Sequence, residues 1–168
     1  MEVTQPKAYK ASAQTERSRH YLGGYWTFLT TGADTGGAFA LIEAHLRKNM
    51  EPPRHIHTKE DETYYVLDGE IDFVAGDETH HLKTGDVIFL PKNQPHHFKI
   101  QSDTIKLLVH LAPAGLEEMF LELSKPAEVH GMPPAAAGPP PPEFIARVKE
   151  LQQKYGIVGM NNNEIKSA

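Results

Sequence analysis

The stretch Pro52-Pro-Arg-His-Ile-His-Thr-Lys-Glu-Asp-Glu62 contains two histidines one residue apart and a glutamate after four further residues. Side chains two residues apart on a β-strand lie on the same face, so His55 and His57 can bind one ion together. A polar turn over residues 58–61 then brings Glu62, at the start of the next strand, back beside them. The stretch therefore predicts a pair of strands that carries a compact ligand group.

A second stretch, Gly85-Asp-Val-Ile-Phe-Leu-Pro-Lys-Asn-Gln-Pro-His96, supplies a third imidazole. Three neutral ring nitrogens and one carboxylate suit a first-row divalent metal ion and leave coordination positions open. The predicted metal ligands are His55, His57, Glu62 and His96. This donor set does not select among Fe, Mn, Ni, Co, Cu and Zn, since all accept imidazole and carboxylate ligands.

Outside these stretches the chain consists of short apolar runs separated by turn residues. No helical pattern interrupts the runs, so they indicate an antiparallel β-sandwich or barrel. The predicted strands cover residues 25–30, 38–46, 63–67, 71–74, 87–90, 96–100 and 105–111.

These motifs resemble those of the cupin superfamily. The first cupin motif, G-x5-H-x-H-x3–4-E-x6-G, is matched from His55 to Gly69, and the second, G-x5-P-x-G-x2-H-x3-N, from Gly85 to His96. Asn49 and Asn93 replace one motif glycine each, which is a mild change because asparagine tolerates positive φ better than most residues. Ile100 replaces the final asparagine and is a clear departure at the end of a strand.

The resemblance implies an all-β fold, the cupin double-stranded β-helix or jelly-roll barrel, followed here by C-terminal helices. The fifteen residues between Gly69 and Gly85 are typical of single-domain cupins. The flanking stretches 28–39 and 111–115 resemble those of bacterial quercetin 2,3-dioxygenase-like cupins.

The predicted organisation is a polar N-terminal arm over residues 1–20, a cupin barrel over 21–114, C-terminal helices over 115–160 and a tail over 161–168. Apolar residues at helical spacing predict helices over 115–124 and 143–155, joined by a Pro-rich linker over 133–142. The second helix must dock on its own barrel or on a partner.

Composition narrows the function classes. The formal net charge is −5 and Lys and Arg form no cluster, which argues against nucleic-acid binding. The first thirty residues lack a signal-peptide core, and apolar runs are too short to span a membrane, so the expected location is cytoplasmic. The sequence has no Cys, so a metal site must use His and carboxylates.

The alternation of side chains along each strand indicates on which face the remaining candidate residues lie. If the metal face is the interior, the predicted substrate pocket is lined by Tyr64, Val66, Phe73 and Phe98, whose alternative role is core packing. His97 follows His96 and must face the other way, and His80 and His81 are expected in a solvated turn. The facing of His45 and His110 is left open.

Three functions fit this interpretation. The first is a dioxygenase that uses molecular oxygen on a flavonol-like or other enolisable aromatic small molecule, with Glu62 as the catalytic base. The second is a metal-dependent isomerase, epimerase or lyase of a small sugar or keto acid, and the third is a non-catalytic metal- or ligand-binding module. A homodimer is expected because the strand over 25–30 and the helix over 143–155 offer apolar surface.

Overall fold

The structure is a computed structural model that describes residues 7–13, 15–136 and 138–160. The predicted tail over 161–168 lies outside the described residues, as do residues 1–6 and 14 of the predicted arm. The strands in chain order are β1 (Ser18–Tyr21), β2 (Gly24–Thr30), β3 (Ala40–Arg47), β4 (His55–His57), β5 (Asp61–Asp68), β6 (Glu70–Ala75), β7 (Glu78–Lys83), β8 (Val87–Leu90), β9 (His96–Ile100), β10 (Thr104–Ala112), β11 (Lys125–Pro126) and β12 (Ile157–Gly159). The helices are α1 (Gly32–Thr35), α2 (Glu117–Leu123) and α3 (Pro142–Tyr155), and a 3₁₀ turn spans Thr15–Arg17.

The strands form two antiparallel sheets. Within the described residues the larger sheet has the order β11-β1-β2-β3-β10-β5-β8 and the smaller one β12-β4-β9-β6-β7. This mostly-β architecture with few helices is the predicted all-β jelly roll with a C-terminal helix.

Alternation of apolar and polar residues places the core between the sheets. Along β3 and β10 every second side chain is buried, and Ile42, Ile105 and Leu107 have no exposed surface. Phe73 and Ile71 of β6 are equally buried on the facing sheet. The two apolar faces therefore meet in one core, as period-2 alternation requires.

The predicted boundaries differ from the structure at both ends of the barrel. The sheet begins at Ser18, inside the predicted arm, because β1 pairs with β2 and with β11. Pro142, predicted as the last linker residue, is the first residue of α3, a position that tolerates proline because its missing N–H needs no partner there. His80 and His81 are exposed as predicted, but they lie on β7 and not in a turn.

The C-terminal segment docks on its own barrel. Leu151 of α3 is 1% exposed and belongs to the main core, and α3 also contacts α2. Gly156 ends α3 at φ +85°, and its carbonyl accepts hydrogen bonds from the Thr58 backbone and hydroxyl. Strand β12 then pairs with β4, so residues 157–159 lie beside the strand that carries His55 and His57. None of the helices in the described residues is long and apolar enough to cross a membrane.

Candidate metal centre

The four predicted ligands converge at one point inside the barrel. The atoms Nε2 of three histidines and one oxygen of Glu62 lie within 4.8 Å of one another. The Nε2 atoms of His55 and His57 are 2.9 Å apart, and Oε2 of Glu62 is 3.1 Å from Nε2 of His96 and 3.5 Å from Nε2 of His57. His57, Glu62 and His96 are each 3% exposed, whereas His55 is only partly buried.

Neighbouring strands of both sheets bring these residues together. His55 and His57 lie on the inward face of β4, and His96 opens β9 directly opposite His55. Glu62 lies on β5 in the other sheet, so the ligands bridge the two layers of the sandwich. The four residues that the spacing in the sequence predicts as ligands therefore lie in one cluster.

Hydrogen bonds at Nδ1 fix the tautomer of each ring. The Nδ1 atom lies 2.8 Å from the Pro53 carbonyl in His55 and 3.0 Å from the Gln94 carbonyl in His96. In His57 it lies 2.9 Å from a carboxylate oxygen of Glu60. Because these partners only accept hydrogen bonds, each Nδ1 must carry the hydrogen. In the neutral rings all three Nε2 lone pairs therefore point into the cluster.

The atoms that converge in the cluster are all electron donors, and a cation between them would stabilise the arrangement. Within the described part of the chain, the buried atoms Glu62 Oε2 and His96 Nε2 lack a partner of acceptable hydrogen-bond geometry. Three lone pairs and a carboxylate oxygen in such close contact repel each other unless a cation lies between them. The residues therefore fit a divalent metal ion, and imidazole with carboxylate is a donor set typical of first-row metals.

Burial and neighbouring charges shift the pKa values of the cluster. Burial and the proximity of His57 and His96 lower the pKa of His55 to about 4, which favours the neutral ring needed for metal binding. Burial alone would raise the pKa of Glu62, but the adjacent histidines lower it to about 2. Burial likewise opposes protonation of His57, yet the carboxylates of Glu62 and Glu60 raise its pKa. Glu62 is therefore an ionised carboxylate at neutral pH.

Two contacts of the cluster were not foreseen from the sequence. Glu60 was assigned to a polar turn, but it is 2% exposed and its carboxylate meets His57. Tyr64 donates a hydrogen bond from its hydroxyl to Oε1 of Glu62 at 3.1 Å. The only hint in the sequence was the position of Glu60 three residues after a ligand histidine, from which a short turn can fold the side chain back.

The residues predicted to line a pocket form part of the core. Val66 and Phe73 have no exposed surface and Phe98 is 7% exposed. The rings of Tyr64, Phe73 and Phe98 are in mutual contact, with centroids 5.0–6.3 Å apart. Of these four residues Tyr64 contacts Glu62, and the contact of all four with a substrate stays a prediction.

The other histidines lie away from the cluster. His97 points to the opposite face of β9, as its position after His96 required. His45 and His110 are half-buried on the outer face of the larger sheet, where the ring of His110 packs on Phe39. Neither belongs to the metal cluster.

Comparisons with known proteins agree with this architecture. Residues 43–111 match the family model of the cupin domain, a span that contains all four ligands. The fold is that of a cupin. No curated protein matched the sequence.

Solved structures of similar fold include KdgF and a nucleoside dehydratase. KdgF from Halomonas sp. has a TM-score of 0.51 and 14% sequence identity, covering 57% of this chain and 85% of its own. Pac13, a nucleoside dehydratase, has a TM-score of 0.52 and 20% identity, covering 66% of this chain and 88% of its own. At this identity the likeness concerns the cupin fold alone. The closer resemblance to quercetin 2,3-dioxygenase-like cupins stays a prediction.

Proposed function

We propose that this cupin is a divalent-metal-dependent dioxygenase that uses molecular oxygen on a flavonol-like or other enolisable aromatic small molecule. The observation that carries the proposal is the convergence of three Nε2 atoms, with their tautomers fixed, and one ionised carboxylate oxygen within 4.8 Å. A metal ion bound there would act as a Lewis acid toward the deprotonated enol oxygen of the substrate. The four protein ligands leave further coordination positions open for that oxygen.

The exposure of the ligands supports entry from one side. His57, Glu62 and His96 are almost completely buried, whereas His55 retains exposed surface. Tyr64, which donates a hydrogen bond to Glu62, lies next to Phe98, with ring centroids 6.3 Å apart. A substrate would therefore approach beside His55 and meet an interior that excludes water behind the ligands.

The basic residues of the motif support an enol over a phosphorylated or carboxylated substrate. A guanidinium N–H of Arg54 donates to the Gly76 carbonyl at 2.8 Å, and the ammonium of Lys59 donates to the Lys154 carbonyl at 2.9 Å. Sites for phosphate or carboxylate normally aim such cations at the substrate. These two cations instead donate hydrogen bonds to backbone carbonyl groups.

Glu62 has two roles to separate, metal ligand and proton acceptor. Its pKa of about 2 and the hydrogen bond from Tyr64 favour a carboxylate that stays ionised, which is what a ligand requires. The proposal adds that Glu62 accepts the enol proton when the substrate binds, a step that the low pKa of Glu62 before substrate binding opposes. Glu62→Gln, refilled with metal, should then bind substrate but lose roughly 10²–10⁴-fold in turnover per metal, the usual contribution of a general base. Wild-type turnover per metal in this variant would leave Glu62 as a ligand only.

The decisive experiment combines metal analysis with oxygen consumption. Protein purified without chelators should contain about one divalent metal ion per chain, and the loaded protein should consume oxygen with at least one member of a flavonol panel. A protein without tight metal binding would contradict the whole proposal. Tight metal binding without oxygen uptake would contradict the dioxygenase, and turnover of a small sugar or keto acid would indicate an isomerase, epimerase or lyase instead.

A further inference from the structure

Glu60 is a second buried carboxylate at the metal cluster, and its position is built into the fold. Its side chain is 3% exposed, in the turn that joins β4 to β5. Both sides of this turn are fixed, since the Thr58 N–H donates to the Gly156 carbonyl and Asp61 accepts from the Lys92 N–H. The turn therefore holds the Glu60 carboxylate in place rather than letting it reach solvent.

The partner of Glu60 is one of the metal ligands. Its Oε1 lies 2.9 Å from Nδ1 of His57, and the side chain of His57 is 4% exposed. His55 and His96 direct their Nδ1 hydrogens to backbone carbonyls, which no side-chain substitution removes. His57 alone among the three depends on a side chain for this hydrogen bond.

Because the Glu60 carboxyl group is buried, its pairing with His57 is energetically important. Taking an ionised carboxylate out of water is expensive unless it is paired. Glu60 meets this requirement through its contact with Nδ1 of His57 at 2.9 Å. A carboxylate behind a ligand histidine also increases the basicity of the nitrogen that binds the metal.

We infer that Glu60 is a positioning residue of the metal centre, which orients His57 and holds its ring in the tautomer that exposes Nε2. This inference rests on the metal binding of the proposed function. It does not depend on the reaction that follows, because Glu60 acts on the ligand and need not touch the substrate.

The test compares two substitutions of Glu60. Glu60→Leu removes both the acceptor and the charge, whereas Glu60→Gln keeps an acceptor oxygen and removes only the charge. We expect Glu60→Leu to lower Zn²⁺ affinity, measured by competition with a chelator, by about 10–100-fold. Glu60→Gln should lower Zn²⁺ affinity by a smaller factor. Glu117→Gln is the matched control, because Glu117 is as deeply buried, at 1% exposed, but accepts hydrogen bonds from the backbone N–H groups of Gly32 and Gly115.

A spectroscopic measurement separates this role from a general effect on folding. In Zn²⁺-loaded protein with isotope-labelled histidine, the Nδ1–H signal of His57 should be the farthest downfield of the three, since it donates to a carboxylate. Glu60→Gln should move that signal upfield and Glu60→Leu should abolish it by solvent exchange. The signals of His55 and His96 should remain.

The outcomes distinguish the two proposals. If wild-type protein binds no Zn²⁺, the proposed function and the inference on Glu60 both fail. If wild-type protein binds tightly and the Glu60 variants keep both its affinity and its His57 signal, only the inference on Glu60 is wrong. Should Glu60→Leu fail to fold, an unshifted His57 signal in Glu60→Gln would still overturn it.

Discussion

At the scale of single residues, the direction of a side chain separates ligands from their neighbours. His96 and His97 are adjacent, yet His96 is 3% exposed inside the cluster and His97 lies on the other face of β9. We expect His57→Ala and His96→Ala each to abolish tight metal binding, because each removes a converging nitrogen. His97→Ala and His81→Ala should keep it. Elemental analysis of the four purified variants is the measurement, and equal metal content in all of them would contradict the ligand assignment.

Local rules predicted part of the ligand set from the sequence, and the match to the second cupin motif added His96. The period of two places His55 with His57 and separates His96 from His97, and a short turn returns Glu62. The positive φ expected for the asparagines that replace motif glycines is also present, at +70° for Asn49 and +65° for Asn93. Glu60 could not be predicted, since the orientation of a side chain in a turn depends on contacts such as Thr58 with Gly156.

Two motif glycines allow backbone strain to be separated from steric contact. Gly69 and Gly85 have φ values of +98° and +97°, so alanine is similarly strained at both positions. A Cβ at Gly69 would lie 2.8 Å from the Thr104 carbonyl oxygen, whereas a Cβ at Gly85 would meet nothing within 4 Å. Gly85→Ala should cost about 1–3 kcal/mol of unfolding free energy through strain alone. Gly69→Ala should cost a further ~1–3 kcal/mol from overpacking, measured by urea denaturation. Equal losses would show that the loop at Gly69 relaxes.

At the scale of elements, most strands with an apolar run were predicted, and four strands that are short or largely polar were not. The apolar runs predicted β2, β3, β5, β6, β8, β9 and β10 to within a few residues. Predicted strands did not include β1, β7, β11 or β12. In β7 only Leu82 is buried, and β11 and β12 contain two and three residues. Such strands are set by pairing with distant segments, for which a local pattern gives no signal.

The C-terminal segment, defined here as α3 and β12, supports the strand that carries two ligands. Within the described chain β4 pairs with β9 at one position, His55 with His96, but with β12 at three. Weakening the docking of α3 should therefore loosen β12 and then β4. Leu151→Ala removes the buried anchor of α3 and should cost about 2–5 kcal/mol in unfolding free energy. It should also lower Zn²⁺ affinity.

The control for this prediction lies on the same helix. Ile145 is 42% exposed, so Ile145→Ala should change neither stability nor affinity appreciably. Hydrogen exchange provides the direct measurement, since the amides of β4 should exchange faster in Leu151→Ala than in Ile145→Ala. Unchanged protection of β4 in a destabilised Leu151→Ala protein would show that β4 does not depend on the C-terminal segment.

At the scale of the whole molecule, the surfaces first expected to drive dimer formation are used within the chain. Strand β2 lies between β1 and β3, with Tyr25 and Phe28 each 3% exposed. Helix α3 is held by Leu151 in the core, and Lys154 and Tyr155 both bond the carboxylate of Glu122. These two elements therefore offer little free apolar area for an interface. The homodimer stays a prediction, and another surface fits it better.

We expect the outer side of strand β8 to be that surface. Val87 and Phe89 are 61% and 60% exposed, and Tyr65 of the neighbouring β5 is 41% exposed on the same face. In the described chain β8 is also the edge strand of the larger sheet, so its outer edge has no ladder partner in that sheet. An exposed apolar edge strand favours association unless it is covered.

We therefore expect a homodimer that buries this patch, over an interface of upwards of ~1,000 Å². Replacing Val87 and Phe89 together by glutamate should convert the dimer to a monomer, because two charges would be buried without partners. The same change at Val129, which is 60% exposed but lies outside this sheet face, should leave the dimer intact. Sedimentation at micromolar concentration is the measurement. A wild-type mass of one chain, 18.7 kDa, would overturn the dimer, and a dimer that survives the β8 substitutions would place its interface elsewhere.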